Sequence, residues 1–90
     1  MKKYLIERDI PGVDQLKTGE LKEAASVSNT ALAKLAPRVQ WVESYVTKDR
    51  TFCVYLAEGE ADVHEHARLS GFPATKVTEI VGMIDPTTAA

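Results

Sequence analysis

The chain has 90 residues and a net charge of −2, with hydrophobic residues at 44% and charged residues at 27% of the sequence. This length allows a single domain, 1–90, whose hydrophobic core is thin enough that association between copies would help to complete it. Basic residues form no cluster suited to phosphates and no apolar run could span a bilayer, so we expect neither nucleic acid nor a membrane as a partner.

The N-terminal part of the chain predicts a strand followed by an amphipathic helix. Residues 3–9 form a run of β-favouring residues that stops at Pro11-Gly12, a dipeptide typical of turns. From Thr18, which we interpret as the N-cap, apolar residues recur on one helical face until Pro37 ends the helix. A stripe only one face wide is typical of a helix that covers a sheet.

The middle of the chain predicts a β-hairpin. Residues 39–47 and 51–58 are rich in β-branched and aromatic side chains and are separated by three residues. If residues 48–50 form the loop, Tyr45 pairs with Cys53, and the two side chains share one face of the sheet.

The C-terminal part predicts a second helix, from about 60 to 70, and a last strand from 76 to 84. Gly71 is suited to end the helix in a left-handed conformation. The order βαββαβ is that of the ferredoxin-like fold, an α+β sandwich with a four-stranded antiparallel sheet and two helices on one face. The other face of the sheet is left open.

Alternation along each strand assigns side chains to the two faces of this sheet. The set assigned to the helix side is apolar: Tyr4, Ile6, Val42, Val46, Phe52, Val54, Leu56, Ile80 and Ile84. The set assigned to the open face mixes large apolar groups with three carboxylates and a thiol: Leu5, Glu7, Trp41, Glu43, Tyr45, Cys53, Tyr55, Val77, Glu79, Val81 and Met83. Such a patch is typical of an interaction surface, so we expect a homodimer that packs sheet to sheet, as in dimeric α/β barrels.

A dimer of this kind would bury carboxylates, which suggests a metal site. Buried Glu7 and Glu43 would be unfavourable unless they were protonated, paired or bound to a cation. With Cys53 and His66 they would offer oxygen, sulfur and nitrogen donors, and Tyr45 would orient a carboxylate. This mixture suits a borderline divalent transition metal, and Ni²⁺, Co²⁺, Cu²⁺ and Zn²⁺ all remain open.

The same residues also allow a purely structural interpretation. The glutamates would then pair with Arg8 or other basic groups, Cys53 would be a small core hydrophobe, and His66 would hydrogen-bond a neighbour. His64 lies about 200° from His66 around a helix, so the two cannot bind one ion. Ser28, in the middle of the apolar stripe of the first helix, is expected to hydrogen-bond within that helix.

Several strings resemble a family of small bacterial proteins, a domain-of-unknown-function family that includes a nickel-binding protein. They are Tyr4-x-Ile6-Glu7-Arg8, Pro11-Gly12, Trp41-Val42-x-Ser44-Tyr45-Val46-Thr47, Cys53-Val54-Tyr55, Glu65-His66-Ala67, Gly71-Phe72-Pro73-Ala74 and Ile84-Asp85-Pro86-Thr87-Thr88. The resemblance implies a ferredoxin-like sandwich that dimerises through its sheets and holds nickel on and between them. The recurrent positions of the family correspond to Glu7, Trp41, Tyr45, Cys53, Tyr55, His66, Pro73 and Asp85.

Three functions stay open at this point. The first is a homodimer that sequesters a divalent metal, nickel above all; a lone Cys53 and an N-terminus without a signal peptide favour the cytoplasm. The second is a cofactor-independent oxygenase or isomerase with a pocket inside the dimeric barrel, and the third is a small-ligand sensing module. An enzyme would need a connected cavity of about 300 Å³ or more, whereas metal binding would not.

Overall fold

The structure, a computed structural model, describes residues 1–90 as four strands and two helices, with short 3₁₀ turns at 13–15 and 86–89. The elements are β1 (Lys2–Asp9), α1 (Thr18–Leu35), β2 (Val39–Val46), β3 (Arg50–Ala57), α2 (Glu60–Ser70) and β4 (Lys76–Ile80). All strands pair antiparallel in the order β2-β3-β1-β4, and both helices cover one face. The predicted ferredoxin-like α+β sandwich is confirmed.

Local sequence explains where the helices begin and end. The backbone N–H of Lys17 donates to the Glu20 carboxylate at 3.1 Å, so Lys17 rather than the predicted Thr18 is the N-cap of α1. The helix ends two residues before Pro37, as predicted. Gly71 follows α2 with a φ of 79°, the left-handed conformation expected there. Neither helix has the length and apolar character needed to cross a membrane.

The register of the hairpin differs from the predicted one by one residue. The Thr47 N–H donates to the Arg50 carbonyl at 2.8 Å, so the loop is 47–49 and Arg50 already belongs to β3. Tyr45 therefore pairs with Phe52, and the predicted pairing with Cys53 is wrong. Because side chains alternate with a period of two, this slip moves every side chain of β3 to the other face.

The predicted assignment of side chains to the two faces of the sheet is thus right for β1 and wrong for β3. The β3 side chains that lie under the helices are Thr51, Cys53, Tyr55 and Ala57, all of them buried. Those on the open face are Phe52, Val54 and Leu56, which the apolar pattern assigns to the core. The pattern is misleading because the polar atoms of Cys53 and Tyr55 find hydrogen-bond partners inside the protein.

A β-bulge corrects the predicted placement of two residues in β2. Trp41 pairs with Tyr55 and Glu43 pairs with Val54, which leaves Val42 as the extra residue. Trp41, predicted on the open face, therefore packs against the core under the helices. Val42, predicted in the core, is 49% exposed on the open side.

The last strand is shorter than predicted and its faces are also inverted. β4 ends at Ile80, which pairs with Lys3 near the start of β1. Val77 packs against the core and Ile80 lies on the open side, the reverse of the predicted arrangement. The residues that follow leave three apolar side chains exposed: Val81, Met83 and Ile84.

The hydrophobic core lies between the sheet and the helices and is as thin as the chain length suggests. Its buried members are Tyr4, Ile6, Leu35, Val39, Cys53, Tyr55, Ala57 and Val63. Only 14 of 90 residues are buried in all, and none of them lies on the open face. Half of the sheet surface therefore contributes no buried residue to the stability of the isolated chain.

We expect two neighbouring substitutions in β3 to have opposite outcomes. Ala57→Glu places a charge at a position with 0% exposure in the core and should cost several kcal/mol, comparable to the stability of a small domain. Leu56→Glu places the same charge on the open face and should leave a folded chain. Thermal unfolding, monitored by circular dichroism, compares the two variants. If Leu56→Glu were the less stable of the two, the assignment of the β3 side chains to faces that the sequence predicts would be correct instead.

Candidate functional site

The five predicted metal ligands lie on opposite faces of the sheet. Glu7, Glu43 and Tyr45 are on the open face, whereas Cys53 and His66 are buried on the helix side. No group of three or more His, Cys, Asp or Glu side chains in the chain lies close enough to hold an ion. A single chain therefore does not bring these five residues together around one site, and their role as metal ligands stays a prediction.

On the open face, Glu7 already has a cationic partner. Arg50 Nη1 donates to Glu7 Oε1 at 3.0 Å, and Nη2 of the same arginine lies 2.7 Å from Oδ1 of Asp9. This matches the structural interpretation, in which Glu7 pairs with a basic side chain, although the partner is Arg50 and not Arg8. Glu43 differs because it makes no ion pair and no side-chain hydrogen bond. Tyr45 is 56% exposed beside it.

On the helix side, Ser28, His66 and Tyr55 form a buried hydrogen-bonded group. Ser28 Oγ lies 3.1 Å from His66 Nε2 and 3.4 Å from the Tyr55 hydroxyl, so the expected bond of Ser28 within its own helix is not observed. The His66 and Tyr55 rings are 4.9 Å apart. If the Tyr55 hydroxyl donates to Ser28 and Ser28 donates to Nε2, both hydroxyl donors are used.

Burial keeps this group uncharged. Desolvation, followed by the nearby positive charge of Arg8, lowers the pKa of His66 to about 4. Burial also raises the pKa of the Tyr55 hydroxyl. At neutral pH the imidazole and the phenol are both neutral, and the imidazole nitrogen nearest to Ser28 is already engaged.

Cys53 is a small buried side chain rather than an exposed thiol. Its Sγ lies 3.6 Å from Oγ1 of Thr51, two residues earlier on the same strand. No histidine or carboxylate joins it in a cluster that could hold an ion. The structural interpretation of Cys53 accounts for these contacts.

Arg8 is the functional candidate that sequence reasoning missed. It is 2% exposed on the helix side, where its Nη1 donates to the Pro73 carbonyl oxygen at 2.8 Å. The guanidinium carbon lies 5.8 Å from the centre of the Tyr55 ring and 5.9 Å from that of Phe72. The alternation of Tyr4, Ile6 and Arg8 along β1 is the signal that could have placed this arginine inside.

A cavity of about 410 Å³ lies between the N-terminal half of α1 and the sheet. Arg8, Ser28, Cys53 and Tyr55 line it together with a mostly apolar wall. Its volume exceeds the value of about 300 Å³ expected of an enzyme pocket. Its location differs from that of the enzyme hypothesis, because it lies beneath a helix of one chain and not between the sheets of two.

Comparisons with known proteins agree on one family and one fold. The family model described as "Nickel responsive protein SCO4226-like" matches residues 4–80. The crystal structure of SCO4226 from Streptomyces coelicolor A3(2) matches with a TM-score of 0.76 and 10% sequence identity, covering 91% of this chain and 99% of that chain. At this identity the structural likeness shows the fold alone. A search of the curated proteins gave no match.

The lowered pKa of His66 predicts an extra loss of stability in mild acid. Because the unfolded imidazole has a pKa near 6.5 and the folded one about 4, protonation favours unfolding. The contribution of the neutral His66 imidazole to the unfolding free energy is fully present above about pH 6.5, and it is lost as the pH falls towards 4. Between pH 7 and 4.5 the wild type should lose about 2 kcal/mol more unfolding free energy than His66→Gln.

Urea unfolding at the two pH values measures this difference. The carboxylates titrate in both proteins, so only the difference between their losses reports on His66. His64→Gln changes an exposed histidine and should leave the extra loss in place. Equal losses in the wild type and His66→Gln would contradict the prediction.

Proposed function

We propose, because this chain belongs to the SCO4226-like family of nickel responsive proteins, that it is a homodimer that binds and sequesters Ni²⁺ between its sheets. The open face of the sheet is the observation that carries the proposal. It carries many apolar side chains between charged ones, no helix covers it, and the carboxylate of Glu43 on it has no partner. A second copy of the chain is the occupant that we infer for this face.

The apolar side chains of the open face support a partner of the same kind. Those that the isolated chain leaves half-buried or exposed are Leu5, Val42, Tyr45, Phe52, Val54, Leu56 and Ile80. The face also carries Lys3 and Glu43, which border the same shallow groove with Val42 and Tyr45. Opposite charges within one apolar patch allow two copies related by a twofold axis to be complementary to one another.

The metal donors would come from both copies. A twofold axis duplicates every side chain, so two Glu43 carboxylates and two Tyr45 hydroxyls can lie near one another although a single chain offers no cluster. Glu43 is the first ligand candidate because it has no cationic partner. Glu7 could join it only by giving up part of its contact with Arg50.

Cys53 and His66 have no place in this site, because the sheet lies between them and the open face. Without these two residues the proposed site has only oxygen donors, which also suit harder cations such as Mg²⁺. At one given site Ni²⁺ binds more tightly than Mn²⁺, Fe²⁺ or Co²⁺, whereas Cu²⁺ binds more tightly still. The choice of nickel therefore rests on the family and not on the donor set.

The dimer is tested by a charge on the open face. Val42→Glu changes a valine that is exposed in the isolated chain, so the protomer should fold while the interface fails. Val27→Glu makes the same change at an exposed valine of α1 and should leave the dimer intact. Analytical ultracentrifugation of both variants and the wild type measures the mass; a monomeric wild type, or a dimeric Val42→Glu, would contradict the proposed interface.

Nickel binding is tested by calorimetric titration of protein without a histidine tag. Removing the Glu43 charge with Glu43→Gln should weaken Ni²⁺ binding at least tenfold, about 1.4 kcal/mol. Glu58→Gln removes an exposed carboxylate just beyond β3 and should bind as the wild type does. A dissociation constant weaker than about 100 μM in the wild type would count against a sequestering function.

A background site must be separated from the proposed one. His64 is exposed on α2 with its Nε2 3.2 Å from Oε2 of Glu60, and these two donors could hold Ni²⁺ weakly on the surface. The titrations are therefore repeated in the His64→Ala background. If His64→Ala abolishes all nickel binding while Glu43→Gln has no effect, the site between the sheets is refuted.

A further inference from the structure

The cavity beneath α1 has the properties of a binding site for a small organic molecule. Its volume is about 410 Å³, and its wall is mostly apolar. Water is held poorly where few polar partners are present. Cavities of ~300–1,000 Å³ with apolar walls and a few polar groups are typical of small-molecule sites. The wall therefore favours a ligand with an apolar body.

Arg8 adds an unbalanced positive charge to this cavity. Its side chain lines the cavity and is buried, and its Nη2 is the one buried side-chain nitrogen or oxygen in the chain that has no hydrogen-bond partner. Nη1 is held by the Pro73 carbonyl at 2.8 Å, which is a neutral acceptor. A buried charge without a counter-charge is strongly unfavourable, so a bound anion would stabilise this arrangement.

The chain itself supplies no such anion. Glu7 and Asp9, on either side of Arg8 in the sequence, lie on the opposite face and pair with Arg50. No aspartate or glutamate lines the cavity. The neighbouring groups on the helix side, Tyr55 and His66, are neutral at pH 7. The counter-charge for Arg8 must therefore come from outside the chain.

We propose that this cavity binds a small organic carboxylate whose apolar body fills the space beneath α1 and whose carboxylate accepts hydrogen bonds from Arg8. The planar guanidinium matches a carboxylate in geometry and in charge. The rings of Tyr55 and Phe72, at 5.8 and 5.9 Å, hold the guanidinium in place. The Ser28 hydroxyl also lines the cavity and offers a further polar contact.

Trp41 provides the readout, since it is the one tryptophan in the chain and it lines the cavity. Its fluorescence is titrated with decanoate and with decan-1-ol, two probes with the same apolar chain and different head groups, both below their micellar or solubility limits. A charge-assisted hydrogen bond to Arg8 should make decanoate bind about tenfold more tightly than decanol in the wild type.

Two variants and one control assign the effect. Arg8→Met keeps an extended side chain without the charge, and decanol should then bind at least as tightly as decanoate. Ala25→Phe fills the cavity from α1 and should weaken both probes, which keeps the test decisive if Arg8→Met does not fold. Arg38→Met removes an exposed arginine that pairs with Asp62 and should leave the preference for decanoate unchanged.

Three results would overturn the proposal. The first is equal binding of decanoate and decanol to the wild type, because Arg8 would then not contact the head group. The second is decanoate binding that Ala25→Phe leaves unchanged, because the probe would then lie outside the cavity. The third is the absence of decanoate binding to the wild type below about 1 mM.

Discussion

The pairing of β3 with its two neighbours is the constraint on which the rest of the structure depends. Asp9 lies opposite Arg50 across β1 and β3, and the Thr47 to Arg50 hydrogen bond closes the hairpin in the same register. In this register Cys53 and Tyr55 point towards the helices. A slip of one residue would expose both side chains and bury Phe52 and its apolar neighbours instead.

This register divides the chemistry of the chain between two faces. The helix side holds Arg8 and the neutral group formed by Ser28, Tyr55 and His66 beside a cavity. The open face holds apolar side chains and the carboxylate of Glu43, which lies on the edge strand β2, and it has no buried residue. Association of two copies and binding of a metal belong to the open face in our account, and binding of an organic anion belongs to the helix side. The two activities can therefore be disturbed separately.

The sequence predicts the fold better than the site because the two depend on different kinds of information. Pro37 and Gly71 act locally, so the ends of both helices follow from single residues. The hairpin loop can close at 47–49 or at 48–50, and the apolar pattern of β3 favours the wrong choice since Phe52 looks more like a core residue than Cys53. The bulge at Val42 leaves no mark in the sequence. The candidate site inherits these errors because it is defined by which side chains share a face.

Paramagnetic relaxation by bound Ni²⁺, measured on the amide signals of the isotopically labelled protein, shows on which face of the sheet the metal binds. If the two faces have separate functions and the metal belongs to the open one, signals near Glu43 and Tyr45 broaden first, while those of Ser28 and His66 on the helix side persist. Broadening centred on Cys53 and His66 would contradict a metal site on the open face.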